Sequence, residues 1–326
     1  MLVATPMKQT YLGRTGISVS PLCLGTMTFG READSGTSRA ILDRALEAGV
    51  NFIDCANVYA GTQSEQLLGE LLEGRRESVV LTSKCGFPVA GGPEHNNRGL
   101  SRLHICRAVE DSLRRLRTDH LDIYFTHYLD ANVPVEDLVR TMDDLVRAGK
   151  IRHWGISNWA AWEVMKALGI ADRHGWVRPA CLQPMYNLVK RQAEVEIFPM
   201  ALAENVGIIS YNPLGGGLLT GKHTWTERAD ESRLSSHEMY MKRYGQEWMY
   251  QVAAAFKQLA DERGAHPVTL AVAWALRHPA VTAPILGARS VEQLDPALAA
   301  AEFAMDDELY ESICALSPKP PSATDR

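Results

Sequence analysis

Short apolar runs alternate with longer stretches of helical spacing along almost the whole chain. The runs PLCLG (21–25), NFID (51–54), SVVLTSK (78–84), LDIYF (121–125), IRHWGIS (151–157), ACLQP (180–184), GIISY (207–211) and TAPILG (282–287) are strand-length. They are too continuously apolar to leave one face in water, which predicts eight buried strands. Between them lie stretches whose apolar residues recur about every 3.6 positions. Ser38 to Ala48 stops at Gly49, Pro134 to Ala148 stops at Gly149, and the stretch after Asn158 stops at Gly169. A helix that ends in glycine before a short apolar run is the joint of an α/β unit. Pro134 suits a first helical turn. Ahead of the pattern, Tyr11 to Ser20 predicts a β-hairpin turning at Arg14-Thr15-Gly16.

Eight such units in one unbroken series predict a single (β/α)8 TIM barrel over residues 1–326, with an N-terminal hairpin and C-terminal helices. No linker rich in Pro, Gly or Ser divides the chain. The rival, an open doubly wound sheet, would place G-x-G-x-x-G after an early strand, and neither of the first two runs is followed by one.

Composition removes whole classes of function. The 326 residues are 46% hydrophobic and 22% charged, which excludes disordered, collagenous and coiled-coil chains. A net charge of −5 and a pI near 6.1 supply no electrostatic footprint for nucleic acid or an anionic membrane. The basic group Arg114, Arg115 and Arg117 reads as the exposed side of a helix end. The first ten residues lack a signal peptide's apolar core, and stretches such as Leu270 to Leu276 are far shorter than the ~20 residues of a membrane span. The cysteines at 23, 55, 85, 106, 181 and 314 have no paired spacing, as in a reduced, cytoplasmic chain.

A (β/α)8 barrel carries its chemistry at the C-terminal ends of its strands. Those ends deliver Asp54, with Tyr59 five residues on, then Lys84, His127, Ser157-Asn158, Gln183, Tyr211 and Gly287 to Ser290. Each residue alone has an ordinary reading: a helix-capping aspartate, a packed tyrosine, a solvated lysine, a structural histidine. Together, Asp54, Tyr59, Lys84 and His127 make a proton-transfer set. A phenol is a weak acid near neutral pH, and an adjacent ammonium lowers its pKa. A buried ammonium in turn needs a carboxylate. A histidine at the next strand end can hydrogen-bond a substrate oxygen.

From about residue 10 to about residue 316, the sequence resembles the aldo-keto reductases, and most of all the bacterial branch related to potassium-channel β subunits. The resemblance is carried by YLGRTGISVSPLCLGTMTFG, NFIDCANVYAGTQSEQLLGE, the segment NNRGLSRLHICRAVEDSLRRLRTDHLDIYFTHYLD, IRHWGISNW, LQPMYN and YNPLGGGLLTGK, in that order. It implies NADPH-dependent reduction of a carbonyl, with Tyr59 as proton donor, Lys84 and Asp54 tuning it, and His127 orienting the carbonyl. Most channel β subunits have another residue at the His127 position.

The likeness also implies the cofactor contacts. Gly25, Thr26, Met27 and Asp54 lie beside NADPH; Ser157, Asn158 and Gln183 bind the carboxamide; Tyr211 stacks on the nicotinamide. Amide and hydroxyl groups match a carboxamide edge, and a flat ring covers a flat ring. Asn212, Pro213, Leu214, Gly215, Gly216 and Gly217 let backbone N–H groups approach the pyrophosphate, with Lys222 and Arg233 as cations. Gly287, Arg289 and Gln293 complete the site, and the Arg289 guanidinium with Ser290 suits the ribose 2′-phosphate. Ser290 to Gln293 also reads as an S-x-x-Q capping box. The family usually continues with Glu-Asn around the adenine, whereas this chain has Pro296 and Ala297.

The substrate is a small-molecule carbonyl, sought in the loops after the strands: Met27, Phe29, residues 87–97, 128–133 and 224–247. Phe87, Tyr128, Trp225, Met239, Tyr240, Tyr244 and Trp248 lean toward an apolar or aromatic carbonyl. A second class is an NADPH-binding regulator or redox sensor with slow turnover. A metal hydrolase is disfavoured, since only Asp54 and His127 offer ligands and the lysine and tyrosine beside them are poor ones. The related branch includes monomers, tetramers and octamers, so a homo-oligomer is among the states left open.

Overall fold

The computed structural model describes residues 7–226, 234 and 238–324. A short antiparallel hairpin, β1 (Thr10–Tyr11) with β2 (Ser18–Val19), precedes eight strands. These are β3 (Cys23–Gly25), β4 (Phe52–Asp54), β5 (Val80–Cys85), β6 (Leu121–Thr126), β7 (Ile151–Ser157), β8 (Cys181–Gln183), β9 (Gly207–Ser210) and β10 (Ala283–Leu286). All eight pair in parallel, each with its chain neighbours, and β10 closes on β3. This is the expected (β/α)8 barrel, and the eight apolar runs are its eight strands.

Among the described residues, the α-helices are α1 (Ser35–Glu47), α2 (Gln63–Leu71), α3 (Arg102–Leu116), α4 (Val135–Arg147), α5 (Ala161–His174), α6 (Ile197–Glu204), α7 (Glu238–Arg243), α8 (Glu247–Glu262), α9 (Pro267–Arg277), α10 (Val291–Leu298) and α11 (Asp307–Ala315). Their apolar faces form one core with the outward-facing strand residues, among them Leu24, Ile53, Leu81, Ile156 and Leu182. A second, separate cluster fills the barrel: Cys23, Phe52, Ile123, Phe125, Cys181, Ile209, Ala283 and Ile285.

Strand periodicity turns that interior layer into a prediction of the site. Side chains alternate faces with a period of two. Two residues beyond Cys23, Phe52, Phe125, Cys181, Ile209 and Ile285 stand Gly25, Asp54, His127, Gln183, Tyr211 and Gly287. These six residues therefore ring the barrel just above its apolar floor. The opposite end is closed by the hairpin: Leu12 and Val19 are fully buried in the interior cluster. Gly207 admits Leu12, because a Cβ there would lie 2.4 Å from Leu12 Cδ1. Only the C-terminal mouth is left for chemistry.

Three local expectations are corrected. Helix α5 runs through Gly169 and ends at Gly175, whose φ of 65° is the left-handed cap that Gly169 does not adopt. Helix α1 begins earlier than Ser38, because the Asp34 carboxylate accepts the Thr37 N–H at 2.8 Å. Arg114, Arg115 and Arg117 do not share an exposed face: Arg115 Nε donates to the fully buried Glu65 at 2.7 Å, and Ser83 Oγ donates to the same carboxylate at 2.5 Å.

Candidate active site

Asp54 and Lys84 form an ion pair inside the barrel mouth, Nζ to Oδ2 2.6 Å, with side chains 3% and 0% exposed. Burying two charges is tolerable only if every lone pair and proton finds a partner. Here they do. The ammonium has three protons; it donates to Asp54 Oδ2, to the Cys55 carbonyl at 2.7 Å and to Tyr59 OH at 3.2 Å. The other carboxylate oxygen accepts Thr82 Oγ1 at 2.9 Å and Gln183 Nε2 at 2.8 Å. Tyr59 reaches this pair from the turn after β4, where Ala60, Gly61 and Thr62 have φ of 49°, 63° and 84°. Left-handed backbone at the non-glycine residues Ala60 and Thr62 stores strain beside the phenol, as is common at functional sites.

The electrostatics run against one expectation. Burial of the Tyr59 phenol is the largest influence and pushes its pKa up to about 12. Lys84 lowers it, as expected, but Asp54 raises it again, so the ammonium does not win. Burial lowers the Lys84 pKa, but the carboxylate of Asp54 and then the phenol of Tyr59 outweigh it and hold the ammonium above its usual range. Tyr59 therefore keeps its proton throughout the neutral range while touching a charged donor.

His127 faces Tyr59 edge-on, ring centroids 6.2 Å apart. Desolvation, and then repulsion from Lys84, lower its pKa to about 3, so the imidazole is neutral and carries one N–H. Nδ1 is buried with no hydrogen-bond partner among the described residues. Placing the proton on Nε2 leaves only a lone pair in that spot, the cheaper arrangement, and gives the mouth a donor. Phe87 packs edge-on to His127 at 4.8 Å, and Tyr128 lies 4.8 Å from Phe87 with its hydroxyl donated to the Gly86 carbonyl. The other aromatic candidates go elsewhere. Tyr240 and Tyr244 are buried over Gly216 and Asn212, and Trp225 packs on Tyr250.

A polar chain continues from Asp54 around the rim. Ser157 Oγ donates to the Gln183 carbonyl at 2.9 Å, and Asn158 Nδ2 donates to Ser157 Oγ at 3.0 Å and to the His127 carbonyl at 2.9 Å. Tyr211 OH donates to Asn158 Oδ1 at 2.8 Å. Asn158 sits at φ 60° and Asn212 at φ 66°, which asparagine tolerates best after glycine.

The glycine loop differs from expectation in detail. The N–H groups of Gly215, Gly216 and Gly217 are taken by Asn212 O, Asn212 Oδ1 and Leu214 O. Their positive φ values and missing side chains matter instead: a Cβ on Gly216 would lie 2.6 Å from the Tyr240 ring. Lys222 is exposed after this loop; Arg233 lies outside the described residues. At β10, a Cβ on Gly287 would meet nothing within 4 Å, so the backbone there borders open space. Gln293 Oε1 accepts the Arg289 N–H at 3.1 Å, and the Ser290 side chain makes no cap bond, so S-x-x-Q does not close as a capping box. Thr26 is fully buried and its hydroxyl donates to the Asp54 carbonyl at 3.1 Å, while Met27 is half-buried.

Comparison with known proteins decides the family. The profile of the Aldo/keto reductase family matches residues 21–318. The chain belongs to the aldo/keto reductase family. It is 36% identical to the Uncharacterized oxidoreductase YrpG of Bacillus subtilis (strain 168), covering 98% of both chains. It is 34% and 35% identical to probable voltage-gated potassium channel β subunits of Arabidopsis thaliana and Oryza sativa subsp. japonica, covering 88% of this chain and 89% of each relative. Among the described residues, no helix is long and apolar enough to cross a membrane.

For an aldo/keto reductase, the residues present suit a nicotinamide better than an adenine. Gln183 spends Nε2 on Asp54 and keeps Oε1 for another donor, and Tyr211 presents a half-buried ring beside it. Where the resemblance would put the adenine, Ala297 is buried in the core, and Pro296 offers only a carbonyl, already taken by Thr269 Oγ1 at 2.6 Å. Asp295, next to them, is paired with Arg44 at 2.7 Å. One contributor escaped the sequence reading: Thr82, which braces Asp54. Its signal was present, since it precedes Lys84 by two positions on one strand and so shares its face.

Proposed function

We propose that this aldo/keto reductase reduces an aldehyde or ketone to the alcohol, using NADPH. The observation that carries the reading is the ammonium of Lys84, whose protons are shared between Asp54, Cys55 O and Tyr59 OH. Bound NADPH supplies the hydride. Tyr59 gives its proton to the carbonyl oxygen, and the phenolate left behind accepts a charge-assisted hydrogen bond from Lys84. Asp54 keeps that ammonium in place and charged. The neutral His127 donates from Nε2 toward the oxygen and fixes its position between the imidazole and the phenol.

Ser157, Asn158, Gln183 and Tyr211 would hold the nicotinamide end, the loop from Asn212 to Gly217 with Lys222 the pyrophosphate, and Arg289 the 2′-phosphate. Phe87 and Tyr128 make an aromatic wall against His127, which suits an apolar or aromatic carbonyl. The test is a carbonyl panel with NADPH, starting from 4-nitrobenzaldehyde and followed at the nicotinamide absorbance. Reduction is expected, and Tyr59→Phe should cut it by about a hundredfold or more without changing the melting temperature. Equal turnover in Tyr59→Phe would remove the assignment of Tyr59.

The likeness to proteins named as channel β subunits supports a second reading, an NADPH-binding regulator with slow turnover. No reduction of any carbonyl under full cofactor occupancy would favour it.

A further inference from the structure

A cavity of about 460 Å3 runs outward from Asn158, Gln183 and Tyr211 into the layer between the strands and the helices, where Ile156 and Leu182 line it. Tyr59, Lys84, His127 and Phe87 do not line it. Its apolar wall includes Trp159, Met185 and Ile197, and it contains two cations, Lys190 and Arg243. Among the described residues, no aspartate or glutamate lines it.

The two cations are not ordinary solvated surface groups. Both are half-buried, and among the described residues neither is in an ion pair. The contrast with the next residue is direct: Arg191 is saturated by Glu194 and the Cys314 carbonyl. Among the described residues, the Arg243 guanidinium lies 6.0 Å from the Tyr240 ring. Burial, followed by the charge of Arg243, holds the Lys190 ammonium below its usual range. The segments carrying the two are tied together, since Asn187 bonds the Lys190 backbone in both directions and donates Nδ2 to Tyr244 OH at 3.0 Å. Trp159 is 5% exposed, and its indole N–H is buried with no acceptor among the described residues. Two like charges drawn together cost free energy that a single anionic acceptor between them would return.

We propose that this cavity is a second binding site, for an organic anion with an apolar body. The carboxylate lies between Lys190 and Arg243, and the apolar part lies against Trp159, Met185 and Ile197. A volume of this size holds a ligand of one or two rings. The cavity meets the proposed nicotinamide end at Asn158, Gln183 and Tyr211, but its two cations lie apart from Tyr59, Lys84 and His127, so the anion site is tested separately from the reductase reading.

The experiment is calorimetric titration of the full chain, free of cofactor, with 1-naphthoate and its neutral analogue 1-naphthamide. Naphthoate should bind at least about tenfold more tightly than naphthamide. Lys190→Met and Arg243→Met should each remove about that preference, while His127→Ala retains it. Lys190→Gln, a milder change, guards against misfolding and should show the same loss with an unchanged melting temperature. NADPH affinity should be the same in all three cation variants. Equal binding of the two probes, or no binding of naphthoate, overturns the proposal. So does a loss of naphthoate binding in His127→Ala, which would place it at the carbonyl site. A fall in NADPH affinity in the Lys190 and Arg243 variants would overturn it too, because the cations would then serve the dinucleotide's phosphates.

Discussion

Above β4 and β5, the buried ion pair of Asp54 and Lys84 has a partner for every proton and a donor for both carboxylate oxygens. Above β9 and β10 the polar groups stand differently. Lys222 is exposed, Arg289 is half-exposed, and the glycine N–H groups are bonded within their own loop. The first region is built so that one proton sits at one oxygen, which requires rigid, desolvated partners. The second, proposed to hold a dinucleotide, would have to exchange internal hydrogen bonds for ligand ones, a task for which half-exposed groups serve better.

The largest effect that would test this contrast comes from Lys84→Met. It leaves the Asp54 carboxylate buried and unpaired, and should cost about 3–5 kcal/mol of stability in urea denaturation as well as abolishing reduction. Adding Asp54→Leu should return much of the stability and none of the activity. If Lys84→Met alone is as stable as the parent, the pair is not the buried, mutually dependent unit described.

On the exposed side the effect should be smaller and selective. Arg289→Ala should weaken NADPH by about tenfold, and NADH much less, with stability unchanged. Equal losses for both cofactors in a fluorescence titration would remove the 2′-phosphate from Arg289.

The smallest expected change is a flat line. With its pKa lowered to about 3, His127 does not titrate near neutrality. kcat/KM should therefore show no inflection between about pH 5 and 8 attributable to it. Stability should respond with a definite sign. Below about pH 6.5 the unfolded chain takes up a proton that the folded imidazole refuses, so stability falls as pH falls. His104, His153 and His278, also lowered by burial, act in the same direction. His127→Gln should make that acid slope shallower; an unchanged slope would mean that His127 is not desolvated.

Much of this molecule was legible before its fold. The eight apolar runs, their order and the parity of the residues at their ends follow from local chain physics: strands bury both faces in a parallel barrel, and side chains alternate. The same parity placed Asp54, His127, Gln183 and Tyr211 on one ring. Local signals also misled where two glycines competed. Gly169 and Gly175 both suit a helix end, and only the second adopts the left-handed backbone.

What only the tertiary structure decided was partnership. Gln183 bonds a carboxylate 129 residues away, and Arg115 turns inward because Glu65, on another helix, is buried beneath it. Gln293 takes the Arg289 N–H and leaves the expected cap unmade. Burial reversed the net direction of the Tyr59 shift that Lys84 alone would have set. Periodicity determines which way a side chain faces, because that depends only on the backbone it sits on. Which atoms then share a proton, and how much water is excluded around them, depend on segments far apart in sequence that only the closed barrel brings together.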